Sequence, residues 1–359
     1  MRITNVRSTL VSVPFQVPIQ VSTYSFNKRD VVIVEIDTDE GFSGMGYVGI
    51  LGRGGETIKT CIDRDVADLL IGEDARYREK IWKKMWWALD WIGRKGVTMY
   101  AISAVDVALW DLAGKTQNVS LHKMLGPYTD KVKAYASAGF LSLATDQLVE
   151  QATGYVERGF RAYKMKAGLQ NLRQDVERVR AVRSALGDDI DLMVDANQGL
   201  DVASSILLGR ELEKIGVYWF EEPIPADDII GHAQIAQALD VRLATGETEF
   251  SRFGFRELLD RKAADILQID IRAGGITEWM RIAHMADACN IPVTPHMVWE
   301  LQIHMTAAVE NGLYMEYMDW FDELFEELPK IEEGMVVVPD KPGHGLRFRE
   351  DIVSKYRVE

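Results

Sequence analysis

Three acidic residues close three successive apolar runs in the second half of the chain. Asp195 follows DLMV, Glu221 follows VYWF, and Glu247 follows RLATG. Three carboxylates brought together repel one another and raise each other's pKa unless a cation sits among them. An all-oxygen set, free of thiolate and imidazole, favours a hard divalent ion. Magnesium, which keeps some waters and leaves positions for substrate oxygens, is the natural choice, and manganese can replace it. Pairing of each carboxylate with a neighbouring Lys or Arg is the weaker reading, because the order repeats run after run.

Further ionisable residues end the neighbouring runs. Lys164 and Lys166 stand two apart in AYKMKAG and so project to one face. Two ammonium groups beside each other and beside a metal depress one another's pKa, which makes one of them a candidate base near neutral pH. His296 ends PVTPH, and Asp270 ends DILQID one run earlier. An Asp beside a His fixes its tautomer and stabilises the imidazolium, giving a second acid/base group. Glu316 ends LYMEYM, and Asn197 follows Asp195 by two. His284 and His304 fall within helical segments and read as structural.

These runs need a frame that brings their ends together. From about residue 131, VKAYASAG, AYKMKAG, DLMVDAN, VYWFEEP, RLATGE, DILQID, PVTPH and LYMEYM alternate with helical segments such as NLRQDVERVRAVRSAL. Strand–helix alternation means right-handed βαβ units and a parallel sheet. Eight strands over roughly 200 residues suit a closed barrel, whose active site forms where the C-terminal strand ends meet. The predicted fold is α/β: a modified (β/α)8 barrel of (β/α)7β type with an α+β N-terminal capping domain. Residues 1–125 form the cap, 126–328 the barrel, and 329–359 a segment, with a strand over 334–338, that returns to the cap. Within the cap, Trp82, Trp86, Trp87 and Trp91 repeat at helical spacing and read as a core stripe between the domains.

Composition narrows the partners. A net charge of −14 argues against nucleic acid and anionic membrane surfaces, which demand clustered Lys and Arg. The two cysteines, Cys61 and Cys289, sit in no metal-binding spacing and read as free buried thiols in a reducing compartment. The first fifteen residues alternate like a strand rather than a signal peptide, and no run reads as a membrane span. A cytoplasmic enzyme acting on a small carboxylate, with further copies of itself as partners in a homo-oligomer, is the expectation.

With these residues in view, the sequence resembles the mandelate racemase subgroup of the enolase superfamily over essentially its whole length. The marks are Lys164-Met165-Lys166, Val194-Asp195-Ala196-Asn197-Gln198, Phe220-Glu221-Glu222-Pro223, Thr245-Gly246-Glu247, Asp270 with Ala273-Gly274-Gly275-Ile276-Thr277, Pro295-His296 and Met315-Glu316. The resemblance implies that Asp195, Glu221 and Glu247 bind magnesium. It implies that Lys166 is the base on one substrate face, with Lys164 near the substrate carboxylate, and that His296 with Asp270 is the acid/base on the other. Glu316 would hydrogen-bond the carboxylate as charge develops, and Asn197 would contact the metal-bound substrate. Loss of an α-proton from a carboxylate gives a dianionic enediolate, and a divalent cation with lysines is what stabilises it.

Two reactions share this set. Return of a proton to carbon by His296 gives a racemase or epimerase. Protonation of a β-hydroxyl gives a dehydratase that makes a 2-keto-3-deoxy acid. The stretches 295–300 and 312–322 look more like acid-sugar dehydratases, so dehydration is weighed above epimerisation. An inactive binding protein on the same fold is a third reading. Substrate choice is expected from loops near 22–29 and 47–55. There Tyr24 and Arg29 are the named substrate contacts, and the polarity of STYSFNKR suits a polyhydroxy acid.

Overall fold

The computed structural model describes residues 1–169 and 171–358. The chain opens with three long antiparallel strands, β1 (Ile3–Gln20), β2 (Ser25–Thr38) and β3 (Ser43–Leu51). The run VVIVEID in β2 is apolar almost throughout because both faces of the sheet are covered. Val31 and Ile33 join a core shared with the barrel, while Val32, Val34 and Ile36 join a core shared with the cap helices. That division is the two-residue period of a strand. The helix Val97–Gln117 lies on β3 at close range. A Cβ on Gly44 or Gly46 would stand 2.2 Å from the carbonyl oxygen of Ala108 or Ala104, so only glycine lets the helix backbone approach this sheet.

Three expectations are corrected. The tryptophans form no continuous stripe. Trp82 and Trp86, one turn apart, are buried and stacked with ring centroids 5.2 Å apart. Trp87 lies on the next face, and Trp91 follows the helix end at Ala88 and is 99% exposed. The helix Val97–Gln117 is long and apolar enough to cross a membrane, contrary to the reading that no segment is. It is instead mostly buried as the core helix of the cap. Cys61 is buried, but Cys289 is exposed, near the end of a barrel helix.

Eight parallel strands follow: β4 (Lys131–Ser137), β5 (Ala162–Lys166), β6 (Asp191–Asp195), β7 (Trp219–Glu221), β8 (Arg242–Thr245), β9 (Ile266–Asp270), β10 (Val293–His296) and β11 (Met315–Tyr317). They pair in sequence order from β4 to β10, β11 pairs with β4, and a parallel bridge between Val293 and Gly312 joins the remaining edges. An α-helix follows each strand except β11, which gives the (β/α)7β pattern. The inward positions are stacked. Ala162, Met193, Trp219, Ile266 and Tyr314 pack as one apolar layer. Two residues further along, on the same face, come Lys164, Asp195, Glu221, Gln268 and Glu316. The ionisable layer thus rests on a packed floor, as barrel architecture requires.

The C-terminal segment divides its attachments. The strand expected over 334–338 belongs to the barrel. β12 (Ile331–Glu332) and β13 (Met335–Val337) form a hairpin, and β13 pairs antiparallel with β4. The rest returns to the cap: His344 Nε2 lies 2.8 Å from the Met45 carbonyl oxygen, Phe348 packs edge-on to Tyr47, and β14 (Arg357–Val358) pairs with Leu10 and Val11 of β1. Side chains lock the cap to the barrel. Asp106 accepts hydrogen bonds from the backbone and hydroxyl of Thr277, at 2.8 and 2.7 Å. Trp82 Nε1 donates to the Gly274 carbonyl at 2.8 Å, and Ser103 Oγ to that of Ile271 at 2.9 Å. The Gly-Gly-Ile-Thr run is therefore a docking element between domains.

Candidate active site

Strand register sets the site. In the β5–β6 pair Lys166 stands opposite Asp195, and in β6–β7 Asp195 stands opposite Glu221. In β9–β10, Asp270 stands opposite His296. Glu247 lies two residues beyond the end of β8, swung inward by Gly246 at φ 124°. A Cβ there would meet the Phe255 ring at 2.8 Å, so this turn requires glycine. Non-glycine residues with positive φ follow three of the strands: Asn197 and Gln198, Glu222, and Met297 with Val298. Left-handed backbone at a β-branched residue such as Val298 is strained and marks a constrained site. The Gln302 side-chain amide holds that turn by donating to the carbonyls of His296 (2.6 Å) and Met297 (3.0 Å).

Asp195, Glu221 and Glu247 converge, with one oxygen of each within 4.8 Å of the others, and all three are buried. Burial and the charge of Asp195 push the Glu221 carboxyl up to about 8, which is the electrostatic strain that a cation would relieve. Trp219 Nε1 fixes the other Glu221 oxygen at 2.9 Å. Asn197 donates to Asp195 at 3.1 Å, and its own side-chain oxygen is buried without a partner. The all-oxygen donor set, its crowding and this unpartnered amide oxygen fit a magnesium ion.

Lys164 departs from the expected depression of its pKa. Lys164 does not lose its proton readily. Although burial works against the charge, Glu221 at 2.6 Å, Glu316 at 2.8 Å and Asp195 at 3.9 Å hold the ammonium well above its usual range. The acidic ring outweighs the neighbouring lysine, so Lys164 is a fixed cation. Lys166 Nζ contacts Asp195 at 2.5 Å and borders the cavity. Glu316 is held well below the usual carboxylate range; burial opposes this, but Lys164 and His296 outweigh it. Its second oxygen accepts the Met297 backbone N–H at 2.8 Å.

His296 Nδ1 stands 2.7 Å from Asp270 Oδ2, and its Nε2 faces Glu247 at 3.4 Å. Burial would lower its pKa, but Glu247 and the bond to Asp270 push it up to about 9. Lys166, His296, Asn197, Glu247, Glu316 and Tyr24 all line one cavity of about 270 Å³. Asp270 stands behind His296, and Lys164, Asp195 and Glu221 lie beneath the cavity in the ionisable layer.

Arg29 is not there, which corrects its expected role. Its guanidinium pairs with Glu323 and stacks over Phe15, 4.8 Å from the ring centroid, beside a separate surface cavity. Ser22, Thr23 and Lys28 also turn to other partners, while Tyr24 lines the cavity. Ser22 and Thr23 bond the carbonyls of Ala196 and Asn197, and Lys28 pairs with Asp30. The loop's polarity anchors it to the end of β6 and leaves an apolar roof. Phe26, Ile50, Leu51, Met297, Met318 and Trp320 line that side. Sequence reading also missed Arg272, which borders the cavity and bonds Tyr100 Oη at 2.8 Å and the Glu247 carbonyl at 2.6 Å. Its position two residues after Asp270 was the available signal.

Comparison with known proteins agrees with this geometry. Residues 3–126 match the mandelate racemase / muconate lactonizing enzyme N-terminal domain, and residues 147–352 the enolase C-terminal domain-like family. The chain is 37% identical to the L-talarate/galactarate dehydratase of Salmonella typhimurium over 89% of this chain and 81% of that one. It is 34% identical to the arabinonate dehydratase of Saccharolobus solfataricus over 92% and 91%. A magnesium-bound racemase from Streptomyces coelicolor A3(2) superposes with a TM-score of 0.96 at 35% identity, covering 99% of this chain and all of that one. The chain belongs to the mandelate racemase / muconate lactonizing enzyme family of the enolase superfamily.

Proposed function

We propose that the protein is a magnesium-dependent acid-sugar dehydratase that removes the proton α to a carboxylate and eliminates the β-hydroxyl as water. The observation that carries this is the placement of Lys166 and His296 on one cavity, with the carboxylate triad between their strands. β5 and β10 lie five strands apart one way round the barrel and three the other, so a substrate over the triad has one group on each side. Asp195, Glu221 and Glu247 would hold a magnesium ion, which would supply positive charge beside the substrate carboxylate as its α-proton is removed. Lys164, fixed as an ammonium, adds charge beneath the substrate carboxylate, and Glu316, held ionised by Lys164 and His296, donates a hydrogen bond to that carboxylate only once it takes up a proton. Lys166 or His296, whichever faces the α-proton, takes it. His296, protonated at Nδ1 and oriented by Asp270, can deliver a proton from Nε2 to the departing hydroxyl.

Dehydratase relatives of similar coverage support elimination. The racemase neighbour keeps α-epimerisation as the second reading. The test is incubation of acid sugars with the magnesium enzyme and trapping of 2-keto-3-deoxy acid with semicarbazide. Inverted acids without keto acid would support epimerisation instead.

Homo-oligomerisation belongs to the same proposal. The exposed apolar residues Trp87, Trp91, Ile92 and Phe253 support self-association. Molar mass in solution, for wild type and Trp91→Ser, tests it.

A further inference from the structure

We infer that the substrate is a monocarboxylic sugar acid, an aldonate or a deoxy or anhydro form of one, and not a dicarboxylic aldarate. This rests on the dehydratase reading and narrows it, since the relatives include one named for an aldarate and one named for an aldonate. The near end of the substrate is committed to the triad, Lys164 and Lys166. A second carboxylate at the far end would need its own cation, because a buried carboxylate without a partner is either neutralised or excluded.

No such cation is free among the described residues of the cavity. Besides Lys166, the cations lining it are Arg272 and His296, and His296 is already held between Asp270 at 2.7 Å and Glu247 at 3.4 Å. Three of the Arg272 contacts are taken, two to the Glu247 carbonyl (Nε at 3.3 Å, Nη2 at 2.6 Å) and one to Tyr100 Oη at 2.8 Å. Its charge is matched by Asp270, 3.4 Å away. The basic residues of the cap loops are occupied or remote. Lys28 is turned to Asp30, and Arg29 to Glu323. Arg53 is exposed and does not border the cavity.

The far wall instead offers carbon. Phe26, Ile50, Leu51, Met318 and Trp320 line it, with the Trp320 ring packed edge-on to Phe26 at 5.5 Å. None of the buried polar atoms that lack a hydrogen-bond partner in this cavity is cationic: Asn197 Oδ1 and Thr248 Oγ1 are neutral, and Glu316 Oε1 is an anion. Neutral oxygens pair with sugar hydroxyls and supply no compensation for a second anion.

The experiment compares stereochemically matched aldonate and aldarate pairs of five and six carbons, at saturating magnesium. It reads keto-acid formation and, separately, exchange of the α-proton with deuterated solvent by NMR. A monocarboxylate is expected to give the highest kcat/KM, at least about 100-fold above its aldarate counterpart. Leu51→Arg, which puts a guanidinium in the roof, should raise the relative kcat/KM for aldarates at least tenfold, and Met318→Arg serves if the first variant does not fold. Arg53→Ala should leave the ranking unchanged. An aldarate that is preferred or matched, or an aldarate activity lost with Arg53, overturns the inference. If exchange without keto acid favours monocarboxylates, the inference stands while the dehydratase reading falls. Neither exchange nor keto acid from any pair overturns both.

Discussion

His296 Nδ1 lies 2.7 Å from Oδ2 of Asp270, and that contact decides which nitrogen of the imidazole faces the cavity. An ionised carboxylate only accepts, so Nδ1 carries the proton and Nε2 is left to do chemistry. Arg272, 3.4 Å from the same Asp270 oxygen, keeps that carboxylate in place. The imidazole is thereby held opposite Lys166 by side chains that do not themselves react.

Removal of either reacting group should be costly. Lys166→Ala and His296→Asn are each expected to lower turnover at least about 100-fold, the lower range for a positioned acid or base. The variant that retains the base facing the α-proton should still exchange that proton with solvent while elimination stops. Steady-state rates and deuterium exchange on the same samples check both statements. Loss of less than tenfold in both variants would remove them from the mechanism.

Metal dependence follows from the crowded triad. Chelation should abolish activity, and magnesium should restore it. Magnesium at about 100 times its Kd should also stabilise the fold by about 2.7 kcal/mol. Glu221→Gln should weaken that thermal shift while leaving the circular dichroism spectrum unchanged, because the packed layer of Met193, Trp219 and Tyr314 lies below the site. Undiminished activity in a stringently metal-free preparation would contradict the assignment.

The two named loop residues should separate. Tyr24 lines the cavity and Arg29 does not. Tyr24→Phe is therefore expected to change the ranking of substrates. Arg29→Ala should leave the ranking intact and lower stability by on the order of 1 kcal/mol, through lost packing on Phe15 and the lost Glu323 pair. Substrate profiles and melting curves of both variants check this.

The strand-end chemistry was legible because a parallel barrel obeys two simple periods. Alternation along each strand puts Lys164 with Lys166, and Trp219 with Glu221, on one face. Strand–helix repetition then carries every strand end to one rim. Arg29 was misread because the direction of a side chain in β2 depends on its register with β1 and β3, which no local pattern reveals. The charge state of Lys164 was misjudged for a similar reason. Its neighbour in sequence is a lysine, but its neighbours in space are Glu221 and Glu316, from strands distant in the chain. The tryptophan stripe failed at the helix end after Ala88, where no proline or cap residue announced the stop.

A buried carboxyl at the domain junction should leave a pH signature. Tyr47 Oη of the cap donates to Glu300 Oε1 of the barrel at 2.6 Å, and burial pushes Glu300 up to about 8. Its pKa is higher folded than unfolded, so the folded state retains a proton that the unfolded state loses. Its contribution to stability is full below about pH 4.5 and declines as pH rises toward 8. Glu300→Gln keeps the bond from Tyr47 and cannot ionise. The variant should therefore gain on the wild type over that window, by about 1 kcal/mol or more at pH 8. Denaturant midpoints at pH 5 and pH 8 measure it, and parallel pH profiles for the two proteins would contradict it.

The central claim is that Lys166 and His296, working across a magnesium-bound carboxylate, expel a β-hydroxyl as water. The most direct measurement is NMR of the product formed from an active acid sugar in deuterated water, with and without magnesium. The expected result is a 2-keto-3-deoxy acid carrying deuterium at carbon 3, formed only with the metal present. Acids that emerge only inverted at the α-carbon, or keto acid formed equally well without metal, would contradict it.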